Sequence, residues 1–199
     1  MTKKKNATEA SGLTRREFMQ TAAATGAVVA LGSAPRLARG ANERIGIGFI
    51  GVGGRGNAHL QYAHWLKTQA NEPLDIVAVC DVYRPRMEAA AEGYGAKGYM
   101  DHRELLADPN VDLVCIATPD HHHGHQAIDA IKAGKDVYCE KPVTHWRQFD
   151  VIKKLAEIVK KSDRVFQLGT QAMSDGAWRQ MKQLVRDGAI GQPLFGETG

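Results

Sequence analysis

From Arg44 onward, short apolar runs alternate with longer segments in which apolar residues recur every three or four positions. The runs RIGIGFI (Arg44–Ile50), LDIVAVC (Leu74–Cys80), VDLVCIATP (Val111–Pro119), KDVYCE (Lys135–Glu140) and RVFQLG (Arg164–Gly169) predict strands, with KGYM (Lys97–Met100) as a shorter one. Between them, GRGNAHLQYAHWLKTQ predicts a loop entering a helix, RPRMEAAAEGYG a helix ended by glycine, and HHGHQAIDAIKAG a helix closed by Gly134. Asp101 and Glu104 have the spacing of a capping box at the start of DHRELLAD. In HWRQFDVIKKLAEIVKKS, residues Phe149, Ile152, Leu155 and Val159 are spaced for one buried face. A last helix, from about Ser174 to Asp187, places Trp178, Met181, Leu184 and Val185 on one side.

Strands that are apolar along their whole length are buried on both faces. Their alternation with helices predicts right-handed crossovers and an α/β fold with a doubly wound parallel sheet. The expected organisation is a leader over 1–40, a dinucleotide-binding domain over 42–170, and a linker helix with the first strand of a second α/β domain over 171–199. The segment QPLFGETG is that expected strand, and the rest of the second domain is expected to lie outside the sequence.

The charge balance changes once the leader is set apart. Of 26 Lys and Arg, seven lie in the first forty residues, against two of 22 acidic residues; 19 basic and 20 acidic residues remain. A near-neutral body carries no electrostatic footprint for nucleic acid. The leader joins a lysine-rich start, TRREFMQ, and the weakly apolar TAAATGAVVALGSA. That run is short of the roughly 20 apolar residues of a membrane span and suits the h-region of a secretory signal. The Arg15–Arg16 pair followed by Glu and Phe resembles the twin-arginine export motif, with cleavage expected after Gly40. Export to the periplasm, through the twin-arginine machinery, is the resulting expectation. Cys80, Cys115 and Cys139 each sit in an apolar run, and their number and wide spacing argue against a disulfide framework or a zinc site.

The chemistry concentrates at the ends of the predicted strands. Gly51, Gly53 and Gly56 follow the first strand and open a helix, the context that gives G-x-G-x-x-G its meaning. Gly51 suits the tight turn, Gly53 the approach of a pyrophosphate to the backbone, and Gly56 close packing of helix on strand. Free amides at the helix start, around Gly54 and Arg55, then face the phosphates. Asp81 ends the second strand 25 residues beyond Gly56, near the spacing of an acid that holds the adenosine ribose. Its charge opposes a 2′-phosphate, which favours NAD over NADP, and Arg84 stands close enough to soften that preference. Glu140-Lys141-Pro142 ends the fifth strand, where ligands sit in open α/β sheets. Lys141 is placed to polarise a hydroxyl or carbonyl and Glu140 to hold a ribose hydroxyl; a solvated ion pair before a proline turn is the other reading. In TPDHHHGH, His121 and His125 share a helical face while His122 and His123 point elsewhere, a poor arrangement for zinc. One or two of these rings are expected to line the cofactor cleft, and no metal is assigned.

GFIGVGGRG, CDVYRPR, CIATPDHHHGHQAIDAIKAGKDVYCEKP and FQLGTQ, in this order and spacing, resemble the Gfo/Idh/MocA family, the glucose–fructose oxidoreductase and inositol dehydrogenase group of NAD(P)-dependent enzymes. The likeness spans nearly all of residues 42–199, and is nearest to exported members with a twin-arginine leader. It implies a Rossmann domain followed by an α/β domain whose open sheet builds the substrate site and the homo-oligomer interface. It implies that Gly51, Gly53 and Gly56 form the phosphate loop and that Asp81 is the ribose acid. Thr118 and Pro119 match the turn beneath the nicotinamide, His123 a histidine near the cofactor, Glu140 a cofactor-contacting acid and Lys141 the catalytic lysine. Family enzymes oxidise a sugar or polyol hydroxyl by hydride transfer, with a second-domain histidine or aspartate assisting the lysine. Many relatives carry arginines after GTQ, where this chain has Ala172 and Met173. Two other functions fit the same residues: a glycosidase that oxidises its sugar transiently, and a non-catalytic NAD-binding module. The chain alone is expected to bind NAD with little turnover.

Overall fold

The computed structural model describes residues 44–171 and 174–196. The leader and the Ala172–Met173 pair lie outside them. Six parallel strands form one sheet: β1 (Ile45–Ile50), β2 (Leu74–Cys80), β3 (Lys97–Tyr99), β4 (Leu113–Ile116), β5 (Asp136–Glu140) and β6 (Phe166–Gly169). Their order is β3-β2-β1-β4-β5-β6, so the chain winds outward from β1 in one direction and then in the other. This is the doubly wound arrangement expected from the apolar strands, and it opens a crevice between β1 and β4, beyond their carboxyl ends.

Helices α1 (Gly54–Thr68), α2 (Arg84–Tyr94), α3 (His102–Ala107), α4 (Asp120–Lys132) and α5 (Phe149–Lys161) connect these strands, and α6 (Gly176–Arg186) follows β6. Two buried clusters line the faces of the sheet. Leu60 and Ala63 of α1 and Met87 of α2 pack with Phe49, Ile76 and Val79. Leu105 of α3, Ile128 and Ile131 of α4 and Leu155 of α5 pack with Ile50, Val114, Ile116 and Val137. Strand β2 departs from simple alternation. Its pairing with β1 slips between Ile47 and Gly48, which face Ile76 and Ala78. The extra residue, Val77, shifts the phase of the strand, so Val77 and Ala78 both pack with the second cluster.

One expectation for the later helices is corrected. The helix after β5 starts at Phe149, and Phe149 is 66% exposed under the Lys153 ammonium instead of buried. The buried side is carried by Leu155, with Val151, Ile158 and Val159 partly covered. Helix α6 forms where expected, with an Asp175 cap on the Ala177 amide, and Trp178, Met181, Leu184 and Val185 are exposed on it. The described part of QPLFGETG, up to Gly196, contains no strand. Asp101 caps α3, but through the Arg103 amide at 2.9 Å instead of the Glu104 pairing of a capping box.

Candidate active site

The three glycines do distinct work. Gly51 has φ +82°, and a Cβ there would stand 2.9 Å from the Thr118 nitrogen. A Cβ on Gly56 would stand 1.9 Å from the Gly51 carbonyl oxygen, so α1 rests directly on the turn. A Cβ on Gly53 would meet only Arg86 Nη1, at 3.6 Å, which leaves the backbone open to the cleft. The first intrahelical bond of α1 runs from the Asn57 amide to the Gly53 carbonyl at 2.7 Å. No side chain caps the preceding turn and no acid lies within it. The amides of Gly54, Arg55 and Gly56 therefore carry the positive end of the helix toward the cleft.

Asp81 is 6% exposed and more deeply engaged than its spacing suggests. Its Oδ2 accepts from the Val52 amide at 3.0 Å and its Oδ1 from the Tyr83 amide at 2.9 Å. The carboxylate thus pins the turn after β1 to the end of β2. The cation beside it is Arg86, whose Nη1 lies 3.3 Å from Oδ2, with the guanidinium over the Tyr83 ring. Arg84, the residue expected to soften the choice of cofactor, instead faces Glu88 on the surface at 3.9 Å. Helical phase explains the exchange: Arg84 opens α2, and Arg86, two residues on, turns back over the cleft.

A cavity of about 670 Å³ runs beside Gly51, Gly53, Asp81, Arg86, Thr118 and Pro119. A second, of about 290 Å³, is lined by Arg55, Thr118, His123, Glu140, Lys141 and Gln171. Ala117 and Thr118 belong to both. Of the predicted cofactor-binding and catalytic residues, Gly51, Gly53, Arg55, Asp81, Thr118, Pro119, His123, Glu140 and Lys141 line one or both, while Gly54 opens α1 and Gly56 seats it.

Lys141 follows β5 directly, and the Lys141–Pro142 peptide is cis. Glu140, on the strand's last position, is 4% exposed. Its Oε1 accepts from Arg55 Nε and from His59 Nε2, each at 2.7 Å. Burial alone raises the Glu140 pKa, but hydrogen bonds from Arg55 and His59 outweigh it and hold the group below the ordinary glutamate range. His59 has no place in the glycine motif, and nothing in the sequence marked it.

The histidine run enters the cleft more fully than expected: three of its four rings, His122, His123 and His125, stand at a cavity wall, where one or two were anticipated. His123 is 2% exposed, with Nδ1 2.6 Å from the Pro142 carbonyl oxygen and Nε2 2.6 Å from that of Thr118. It joins the turn after β4 to the turn after β5, and its ring lies at the wall of the smaller cavity. His122 and His125 line the larger cavity. Burial and the neighbouring histidines push the His122 pKa down. Thr118 Oγ1 donates to Gln126 Oε1 at 2.7 Å, which fixes that side chain. Among the described residues, no group of three or more His, Cys, Asp or Glu is disposed to hold a metal ion.

The cleft fits a dinucleotide on these grounds: an uncapped helix start, an open glycine backbone, an acid at the end of β2, and adjoining cavities that reach Lys141.

Comparison with known proteins agrees. Residues 45–170 match the family model GFO_IDH_MocA, described as an oxidoreductase family with an NAD-binding Rossmann fold. Inositol 2-dehydrogenase of Salmonella typhimurium is 32% identical over 150 residues, covering 74% of this chain and 43% of that protein. Inositol 2-dehydrogenase/D-chiro-inositol 3-dehydrogenase of Lactiplantibacillus plantarum is 34% identical over 155 residues, covering 75% and 42%. The chain therefore spans less than half the length of these relatives. The crystal structure of myo-inositol dehydrogenase from Lactobacillus casei with NAD(H) and myo-inositol superposes with a TM-score of 0.66 at 29% identity, over 76% of this chain and 44% of that one. Scyllo-inositol dehydrogenase from Lactobacillus casei, with NAD(H) and scyllo-inositol, gives 0.68 at 27% identity, over 75% and 43%.

Proposed function

This chain belongs to the GFO_IDH_MocA oxidoreductase family, defined by its NAD-binding Rossmann fold, and on that premise we propose that it is the cofactor-binding part of a dehydrogenase acting on a sugar or polyol hydroxyl. The observation that carries the reading is the pair of adjoining cavities, which leads from Asp81 past Thr118 to Lys141. The amides of Gly54, Arg55 and Gly56 hold the pyrophosphate. Asp81 and Glu140 accept hydrogen bonds from ribose hydroxyls. NAD, when bound, supplies the acceptor for the hydride that leaves the substrate carbon. Lys141 Nζ holds the substrate hydroxyl and moves its proton as the carbonyl forms. The Thr118–Pro119 turn and the His123 ring set the wall against which the substrate end of the cleft is built.

NAD is the preferred cofactor in this reading, because the Asp81 carboxylate opposes a 2′-phosphate. Arg86 narrows the preference, since its half-exposed guanidinium offers such a phosphate an opposite charge. A polyol such as an inositol is the substrate class favoured by the relatives. We also propose that the leader directs twin-arginine export, and that the full-length enzyme is a homo-oligomer.

Calorimetric titration of the chain with NAD tests the cofactor reading, and absence of binding refutes it. Turnover is tested in a protein extended to the length of the relatives. Accumulation of NADH with a free polyol, lost in Lys141→Met without loss of NAD binding, is the expected result. Cleavage of a glycoside with no net NADH would instead assign redox-assisted elimination.

A further inference from the structure

The phosphate loop and the strand carrying Lys141 meet at one carboxylate oxygen. Arg55 and His59 stand four residues apart on α1, so both project from one face of the helix toward β5. Both converge on Glu140 Oε1, at 2.7 Å each. A carboxylate only accepts, so His59 Nε2 carries the ring proton in this pairing. The His59 side chain is 16% exposed. Its ring stands edge-to-face with the Tyr138 ring, with centroids 5.3 Å apart at 71°. The Tyr138 hydroxyl in turn lies close over Gly169, where an added Cβ would stand 2.6 Å from it. His59 thus lies between Tyr138 and Glu140, in contact with both.

We propose that His59 is a positioning residue for the nicotinamide half of the cofactor site. It fixes the Glu140 carboxylate at the cavity wall shared with Lys141. Arg55, on the same oxygen, ties the phosphate loop to the end of β5, and that tie does not depend on His59. The inference rests on the NAD reading above.

The groups around Glu140 are Arg55 and His59 from α1, Cys115 from β4, Tyr138, Cys139 and Lys141 from its own strand and turn, and His123 from α4. Arg55 and His59 are the two that donate to it, and both favour the ionised form. Removing the His59 donor makes the carboxylate easier to protonate and frees it to turn.

The test is calorimetric titration of the 199-residue chain and its variants with NAD and with ADP, between about pH 5 and pH 8. ADP carries the adenosine and the pyrophosphate but no nicotinamide riboside, so it reports the part of the cleft that His59 does not reach. His59→Leu is expected to weaken NAD about tenfold, the value of one charge-assisted hydrogen bond, and to leave ADP within about twofold. The acid limb of NAD affinity is expected to move to higher pH. His59→Gln, whose amide N–H donates at similar reach, is expected to keep both the affinity and the limb. A thermal melt establishes that each variant is folded. Should His59→Leu not fold, His59→Asn, whose shorter amide falls short of Glu140, replaces it with the same expectations.

Equal weakening of NAD and ADP, identical behaviour of the Gln and Leu variants, or NAD affinity unchanged in His59→Leu overturns the proposal. If the unaltered chain takes up ADP but not NAD, or neither, the cofactor reading itself fails, and the inference with it.

Discussion

Gly56→Ala and Gly54→Ala are the same chemical change, two residues apart on one helix, and the structure predicts opposite results. At Gly56 the new Cβ would stand 1.9 Å from the Gly51 carbonyl oxygen and 2.8 Å from the carbonyl carbon. Both are backbone atoms, so no side chain can rotate away. Helix α1 must retreat from the turn by about 1 Å before the contact becomes tolerable, and overpacking of this kind costs about 1–3 kcal/mol. The retreat also carries the amides of Gly54 to Gly56 off the phosphate position, so NAD affinity falls by about tenfold or more. At Gly54 nothing lies within 4 Å of the added carbon. Alanine there gains up to about 0.5–1 kcal/mol from its better helix propensity. Urea denaturation of the two variants is expected to separate them by about 2–4 kcal/mol, with unchanged m-values. Calorimetry with NAD is expected to show near-normal affinity for Gly54→Ala alone. Equal stability and equal NAD affinity of the two variants would refute the packing of α1 on the turn as the origin of the motif's third glycine.

Other outcomes follow from the same geometry. Asp81→Ala removes the acceptor of the Val52 and Tyr83 amides, and is expected to cost about 1–3 kcal/mol in denaturation besides weakening NAD. Arg86→Ala is expected to lower affinity for NADP relative to NAD, whereas Arg84→Ala leaves the ratio unchanged; competition titrations with the two cofactors decide. Because its folded pKa is lowered, Glu140 contributes stability at neutral pH that is lost as the pH falls through and below the ordinary glutamate range. Glu140→Gln is therefore expected to flatten the acid side of a melting-temperature profile. The thiols of Cys80, Cys115 and Cys139 are pushed up to about 12 by burial. Iodoacetamide at mildly alkaline pH is expected to label them only after unfolding, as intact-mass measurement will show. Replacing Arg15 and Arg16 by lysine is expected to retain a leader-fused reporter in the cytoplasm, measured by cell fractionation.

The strands were legible because a strand buried on both faces must be apolar throughout, and VDLVCIATP or LDIVAVC permits little else. The glycine turn after β1 was legible because the places of Gly51, Gly53 and Gly56 depend on missing side chains at fixed offsets. The residues that escaped depend on facts a linear pattern does not contain. His59 matters only because α1 crosses beside the end of β5, more than 80 residues later in the chain. Arg86 displaces Arg84 because the first residue of α2 points outward. The slip in β2 at Val77 is invisible in a run whose residues are all apolar. Phe149 has helical spacing but stands at the helix start, beyond the edge of the core that covers Leu155.

The strand order bears on how the chain acquires its structure during synthesis. Among the described strands β1 is the first to be made, and its partners are β2 on one side and β4 on the other. Ile47 pairs with Ile76 and also with Leu113, 66 positions ahead. While a ribosome is still translating the segment between them, one edge of β1 has no mate, and the nascent polypeptide presents an unfilled hydrogen-bonding seam. Only when Leu113–Ile116 has emerged can that seam close. Such delayed closure is the kind of intermediate that chaperones shield.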